Sequence, residues 1–76
     1  MTRYFFHIRE AAIVIPDEEG LELQDIQAAR IEARRSAYDL GTAEFRRGCG
    51  VERRAIEIAD RDGNVLETLP LRAFLN

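Results

Sequence analysis

Few side chains in this sequence are suited to nucleophilic or acid–base chemistry: it has one cysteine, Cys49, and one histidine, His7. Cys49 stands between Gly48 and Gly50, a setting that exposes a thiol. An exposed thiolate becomes a nucleophile when a nearby cation or helix N-terminus lowers its pKa. No such helper is adjacent in sequence, and His7 is a distant base that only tertiary structure could bring near. Cys49 is therefore read as a bystander loop cysteine, and His7 as a surface or interface residue.

The carboxylates form two groups. Asp17, Glu18, Glu19, Glu22 and Asp25 make an acidic patch, but their spacing does not match the alternating ligands of a calcium loop. A solvated turn followed by a helix cap accounts for them better. Asp60, Asp62 and Gly63 echo a calcium loop in part, yet no glutamate falls at the closing position, and a hairpin turn is the better reading. No cluster of cysteine and histidine could hold zinc. No metal and no cofactor is expected.

The cations are all arginine, eleven of them against fourteen acids, for a net charge of −3. That balance disfavours a sequence-independent grip on a polyanion. The pairs Arg34-Arg35, Arg46-Arg47 and Arg53-Arg54 are interspersed with Glu32, Asp39, Glu44 and Glu52, so solvated faces with local ion pairs are expected rather than a phosphate-binding surface.

The sharpest pattern is at the start. Arg3, Phe5, His7 and Arg9 alternate, and on a strand they would share one face, with basic and aromatic groups arranged as on a base-stacking sheet or a protein contact surface. Tyr4, Phe6 and Ile8 would share the other.

Those faces need elements to hold them. Arg3 to Arg9 reads as a first strand, and Ile13-Val14-Ile15, stopped by Pro16, as a second; Asp17 to Gly20 carries turn chemistry. The connection Glu10-Ala11-Ala12 lacks the Asn-Gly or Asp-Gly of a tight turn. Asp25 is placed to cap a helix, along which Ile26, Ala29, Ala33, Ala37 and Leu40 recur at three- and four-residue spacing beside Ser36. So narrow an alanine stripe brings a helix close to a sheet, and the bulk of the core must come from strand residues such as Tyr4, Phe6 and Ile8. Gly41 is expected to bend or end the helix, with a restart at Thr42, and Gly48-Cys49-Gly50 to stop it. Ala55 to Ala59 and Val65 to Leu69 form a second strand pair across Arg61-Asp62-Gly63-Asn64, the strongest hairpin signal in the chain. Pro70 ends the last strand or marks it as an edge, and Leu71, Phe74 and Leu75 form an apolar tail.

The expected fold is α+β, with a ββαββ order: a small antiparallel sheet with one amphipathic helix packed on one face, in a single domain spanning residues 1–76. With 46% hydrophobic and 33% charged residues the composition is globular, though a core this small supplies little net stability and often recruits a second subunit. The opening segment has too few apolar residues for a signal peptide or a membrane span, so a cytoplasmic location is expected.

Arg3-Tyr4-Phe5-Phe6-His7, Asp17-Glu18-Glu19-Gly20 with Leu21-Glu22-Leu23, Ala28-Ala29-Arg30, Glu32-Ala33 and the closing hairpin with Leu69-Pro70 resemble a family of small alphaproteobacterial proteins of unknown function. The resemblance spans nearly the whole chain and implies a bacterial source and a shared fold. It carries no activity and no functional residue. Members of that family usually have Asp or Asn with Gly after the first strand, where this chain has Glu10-Ala11-Ala12. A topological likeness to HicB-type antitoxin modules is also present.

Without site chemistry, the expected function is that of a small non-catalytic protein-binding or regulatory module. It would act through the open sheet face carrying Arg3, Phe5, His7 and Arg9, by self-association or with a protein partner and without a membrane. The alternative is a nucleic-acid-associated or antitoxin-like regulator, which the net charge disfavours.

Overall fold

The computed structural model describes residues 1–46 and 54–74. Cys49, the expected helix stop around it, Arg47, Arg53 and Leu75 lie outside the described residues.

The central element is β1 (Thr2–Glu10). One of its sides pairs antiparallel with β4 (Arg54–Ala59), from Phe5 opposite Ala59 to Glu10 opposite Arg54. Its other side is shared by two short strands. β2 (Ile13–Ile15) pairs with Ile8 to Glu10, and β3 (Leu21–Leu23) pairs with Thr2 to Tyr4. β5 (Val65–Pro70) lies beyond β4, so the sheet has five antiparallel strands in the order β2-β1-β4-β5, with β3 beside β2 along β1. The sequence places a turn at Asp17 to Gly20 and no element at Leu21–Leu23, where β3 forms. Leu-Glu-Leu is too short to declare a strand by its own periodicity, and it becomes one because β1 offers it an unpaired edge.

Helix α1 (Ile26–Arg46) begins where Asp25 caps it: the carboxylate accepts the Ala28 N–H at 2.9 Å, and the Asp25 carbonyl accepts the Ala29 N–H at 3.2 Å. Ala29, Ala33 and Ala37 are fully buried, and together with Tyr4, Ile56, Ile58 and Leu71 they form the core. The alanine stripe therefore does lie against the sheet. The bulk comes as much from β4 and from Leu71, in the short 3-10 helix Leu71–Phe74, as from β1; Phe6 is partly buried against the core. The helix runs through Gly41 without ending. A glycine costs about 1 kcal/mol in a helix, and the burial of three alanines on the preceding turns shows a tertiary anchoring larger than that local preference.

The Asp-Gly hairpin forms between β4 and β5. Asp60 Oδ1 accepts the N–H groups of Asp62 and Asn64, both at 2.9 Å, and Gly63 takes φ +88°. Pro70 closes the pairing opposite Ala55, on an edge strand where its missing N–H costs no ladder bond. The first hairpin turns at Ala11, whose φ of +55° is left-handed. This is the position where the sequence lacks the usual glycine or asparagine, and the tight register of β1 and β2 imposes it on an alanine.

Candidate functional site

Antiparallel pairing sorts β1 by residue parity. Even-numbered residues turn their side chains towards α1 and their backbone N–H groups towards the β2/β3 side; odd-numbered residues turn theirs to the opposite sheet face and towards β4. Thr2 and Tyr4 thus meet β3, and Ile8 and Glu10 meet β2. Phe6 falls in the gap between the two short strands, and its N–H would be an unpaired, part-buried donor. The Asp17 carboxylate fills that gap: Oδ2 accepts the Phe6 N–H at 3.1 Å, while Oδ1 accepts the N–H groups of Glu19 and Gly20 at 3.2 Å. One side chain stands in for a missing strand and folds its own turn.

Burial alone would raise the Asp17 pKa, but the N–H groups of Phe6, Gly20 and Glu19, with the nearby His7, outweigh it and hold the carboxyl below its ordinary value. Gly20 is confined in the same turn. It has φ +72°, and a Cβ there would lie 2.9 Å from both the Phe5 ring and the Tyr4 carbonyl oxygen.

Arg3, Phe5, His7 and Arg9 share the sheet face away from the helix. Phe5 and His7 stack with ring centroids 6.3 Å apart and planes within 18°. His7 Nδ1 accepts the Asp17 N–H at 2.9 Å, so this ring nitrogen is engaged by the turn rather than open to a ligand. Arg3 donates to the Glu19 carbonyl at 2.6 Å and lies 4.0 Å from Glu22. Arg9 is bonded to Glu57, the residue on β4 beside His7, which this pair helps to bury to 7% exposure. The four residues are therefore half-buried, three of them bonded to Glu19, Asp17 or Glu57, and the face is less open than its alternation implies: the 16–20 turn folds back over part of it. Local sequence carried no signal for this, because the Asp17 carboxylate and the Phe6 N–H it serves are eleven residues apart.

Beyond the turn, β5 adds exposed apolar side chains to that face. β5 carries a bulge at the Ile58/Ala59 step, which sets Val65 and Leu66 against Ala59. They are 50% and 45% exposed, and the sequence reading did not assign either to the face. Between the 16–20 turn and the 60–64 turn lies a shallow depression of about 230 Å³ lined by Phe5, His7, Asp17, Asp60, Arg61 and Gly63. Both its carboxylates are occupied by backbone donors: Asp60 is held below its ordinary pKa by Asn64, through side chain and backbone, and by the N–H groups of Asp62 and Gly63. Neither is placed to exchange protons with a ligand at neutral pH. Among the described residues no group of three or more His, Cys, Asp or Glu side chains could hold a metal ion, and no helix is long and apolar enough to cross a membrane.

Comparison with known proteins finds one family model, a domain of unknown function (DUF6894), matching residues 3–72. No curated protein and no solved structure matches the chain.

Proposed function

Since the chain belongs to the DUF6894 family, a domain of unknown function, its role has to be read from its own surface, and we propose that it is a non-catalytic protein-binding module that docks through the sheet face opposite α1. The observation that carries this reading is the Phe5–His7 stack continuing into exposed Val65 and Leu66 across a sheet whose other face is packed against the helix. Apolar groups gathered beside a shallow depression are what a protein contact uses, with aromatic residues as anchors. A bacterial, specifically alphaproteobacterial, source belongs to the same reading, supported by the Arg3-Tyr4-Phe5-Phe6-His7 motif, and a cytoplasmic location is proposed with it.

The alternative, an antitoxin-like nucleic-acid regulator, rests on the same alternation of aromatic and basic groups. The two arginines it needs are engaged within the chain, Arg9 by Glu57 and Arg3 by the Glu19 carbonyl, so neither is held ready for a phosphate backbone.

Affinity capture from cells with wild type, Leu66→Glu and Ile31→Glu side by side tests the reading. Ile31 is 68% exposed on the helix and serves as the off-face control. Specific partners are expected with wild type and Ile31→Glu and not with Leu66→Glu. Capture unaffected by Leu66→Glu overturns the docking face, and salt-sensitive retention of nucleic acid at 50 mM salt would favour the alternative.

A further inference from the structure

β2 is the free edge of the sheet, and its sequence is unlike that of the other edge. Residues 11–16, Ala-Ala-Ile-Val-Ile-Pro, are the longest stretch without Asp, Glu or Arg in a chain that is 33% charged. Ile13, Val14 and Ile15 are 68%, 36% and 51% exposed. Natural sheets protect edges with charges, prolines and bulges. β5, at the far side, has all three: Glu67, Pro70 and the bulge at Val65 and Leu66. β2 has no charge and no bulge within it, and Pro16 only follows it.

Register determines what the edge presents. A two-residue connection makes Glu10 and Ile13 a hydrogen-bonded pair, so Ile8 and Ile15 are the next such pair, and Arg9 opposite Val14 is not. The Val14 N–H and C=O therefore point away from β1. The side chains of Ile13 and Ile15, paired with even-numbered Glu10 and Ile8, lie on the helix side of the sheet, and Val14 lies on the other.

We propose that this edge pairs with the same edge of a second copy, antiparallel and centred on Val14. In that register the Val14 N–H of each copy donates to the Val14 carbonyl of the other, and Ile13 of one copy stands beside Ile15 of its partner. The arrangement is isologous, so a two-fold axis closes it at two copies. The flanking residues meet as Ala12 against Pro16, both uncharged, and Asp17 is turned inward onto Phe6 and His7. Two chains of net charge −3 repel elsewhere, and the uncharged segment is where that repulsion is least. The Ala11-Ala12 turn and Pro16 bound the ladder to three residues, which forbids a slipped register. So short a contact is smaller than a standard stable interface, and the dimer is expected to form with rising concentration. This inference does not depend on the partner-docking face, which lies on other residues.

Light scattering across micromolar to millimolar concentrations tests it. Wild type is expected to rise towards twice its 8.7 kDa chain mass. Ile13→Glu and, separately, Val14→Pro, which removes the outward donor, are expected to stay at the single-chain mass, with unchanged circular dichroism for Ile13→Glu as the fold control. Leu66→Glu is expected to dimerise like wild type. A wild type that remains a monomer at millimolar concentration overturns the proposal, as does a dimer that survives Ile13→Glu or one that Leu66→Glu abolishes. Loss of partner capture in Leu66→Glu with the dimer intact separates the two readings.

Discussion

Two turns in this protein are built on the same device, an aspartate that accepts backbone N–H groups two to four residues ahead of it, and they do different work. Around Asp60 the device is local: Oδ1 serves Asp62 and Asn64, Oδ2 serves the Asn64 side chain, and a Cβ on Gly63 would meet nothing within 4 Å. Around Asp17 it is also tertiary. The carboxylate serves Glu19 and Gly20 in its own turn and Phe6 in the central strand, its backbone N–H serves His7, and its glycine is wedged against Phe5 and Tyr4. A turn closed on itself can be changed at little cost to the fold. A turn that completes a sheet and covers part of its second face cannot.

The largest contrast is expected at the glycines. Gly20→Ala adds a left-handed alanine and a clash at 2.9 Å with a ring and a backbone carbonyl, and should cost about 3 kcal/mol by urea denaturation. Gly63→Ala meets only the backbone preference at φ +88° and should cost about 1 kcal/mol. Equal losses would erase the distinction between the turns.

Next comes the carboxylate. Asp17→Ala strands the Phe6 N–H and should cost about 2 kcal/mol, whereas Asp60→Ala should cost less, because the groups it releases reach water. The same residues set an acid limb. Both folded pKa values are lowered, so the stability they contribute is present above the unfolded value near pH ~3.9 and is lost as pH falls through the lower folded value. Asp17→Asn should flatten that limb in a pH series of denaturant midpoints and also shift the His7 ring signals in nuclear magnetic resonance. Asp60→Asn should flatten the limb and leave His7 unmoved.

The smallest effect is at the third turn, which has no aspartate. Ala11 holds φ +55° without a side chain to support it, and Ala11→Gly should stabilise the protein by about 1 kcal/mol. A neutral or destabilising result would mean that the β1–β2 connection is not strained.

Much of this arrangement is legible in the residues. The Asp-Gly turn, the Asp25 cap, the alanine stripe and the sorting of β1 into Tyr4/Phe6/Ile8 and Phe5/His7 each depend on neighbours within about four positions, and each appears where local chemistry places it. Three features are not legible. β3 depends on an edge that only β1 can supply. Glu57, facing away from the helix, is buried because Arg9 lies over it from another strand. The helix crosses Gly41 because packing against the sheet outweighs one residue's preference.

What the sequence by itself determined is therefore periodicity: which side chains share a face, where the chain turns, and that a single helix must lie on one side of the sheet. Only tertiary structure decided what the second face meets. The Asp17 turn folds across it because its carboxylate finds a donor at Phe6, eleven residues back. A bond between groups that far apart has no local pattern, since it exists only once β2 and β3 have left Phe5 to His7 of β1 unpaired on that side.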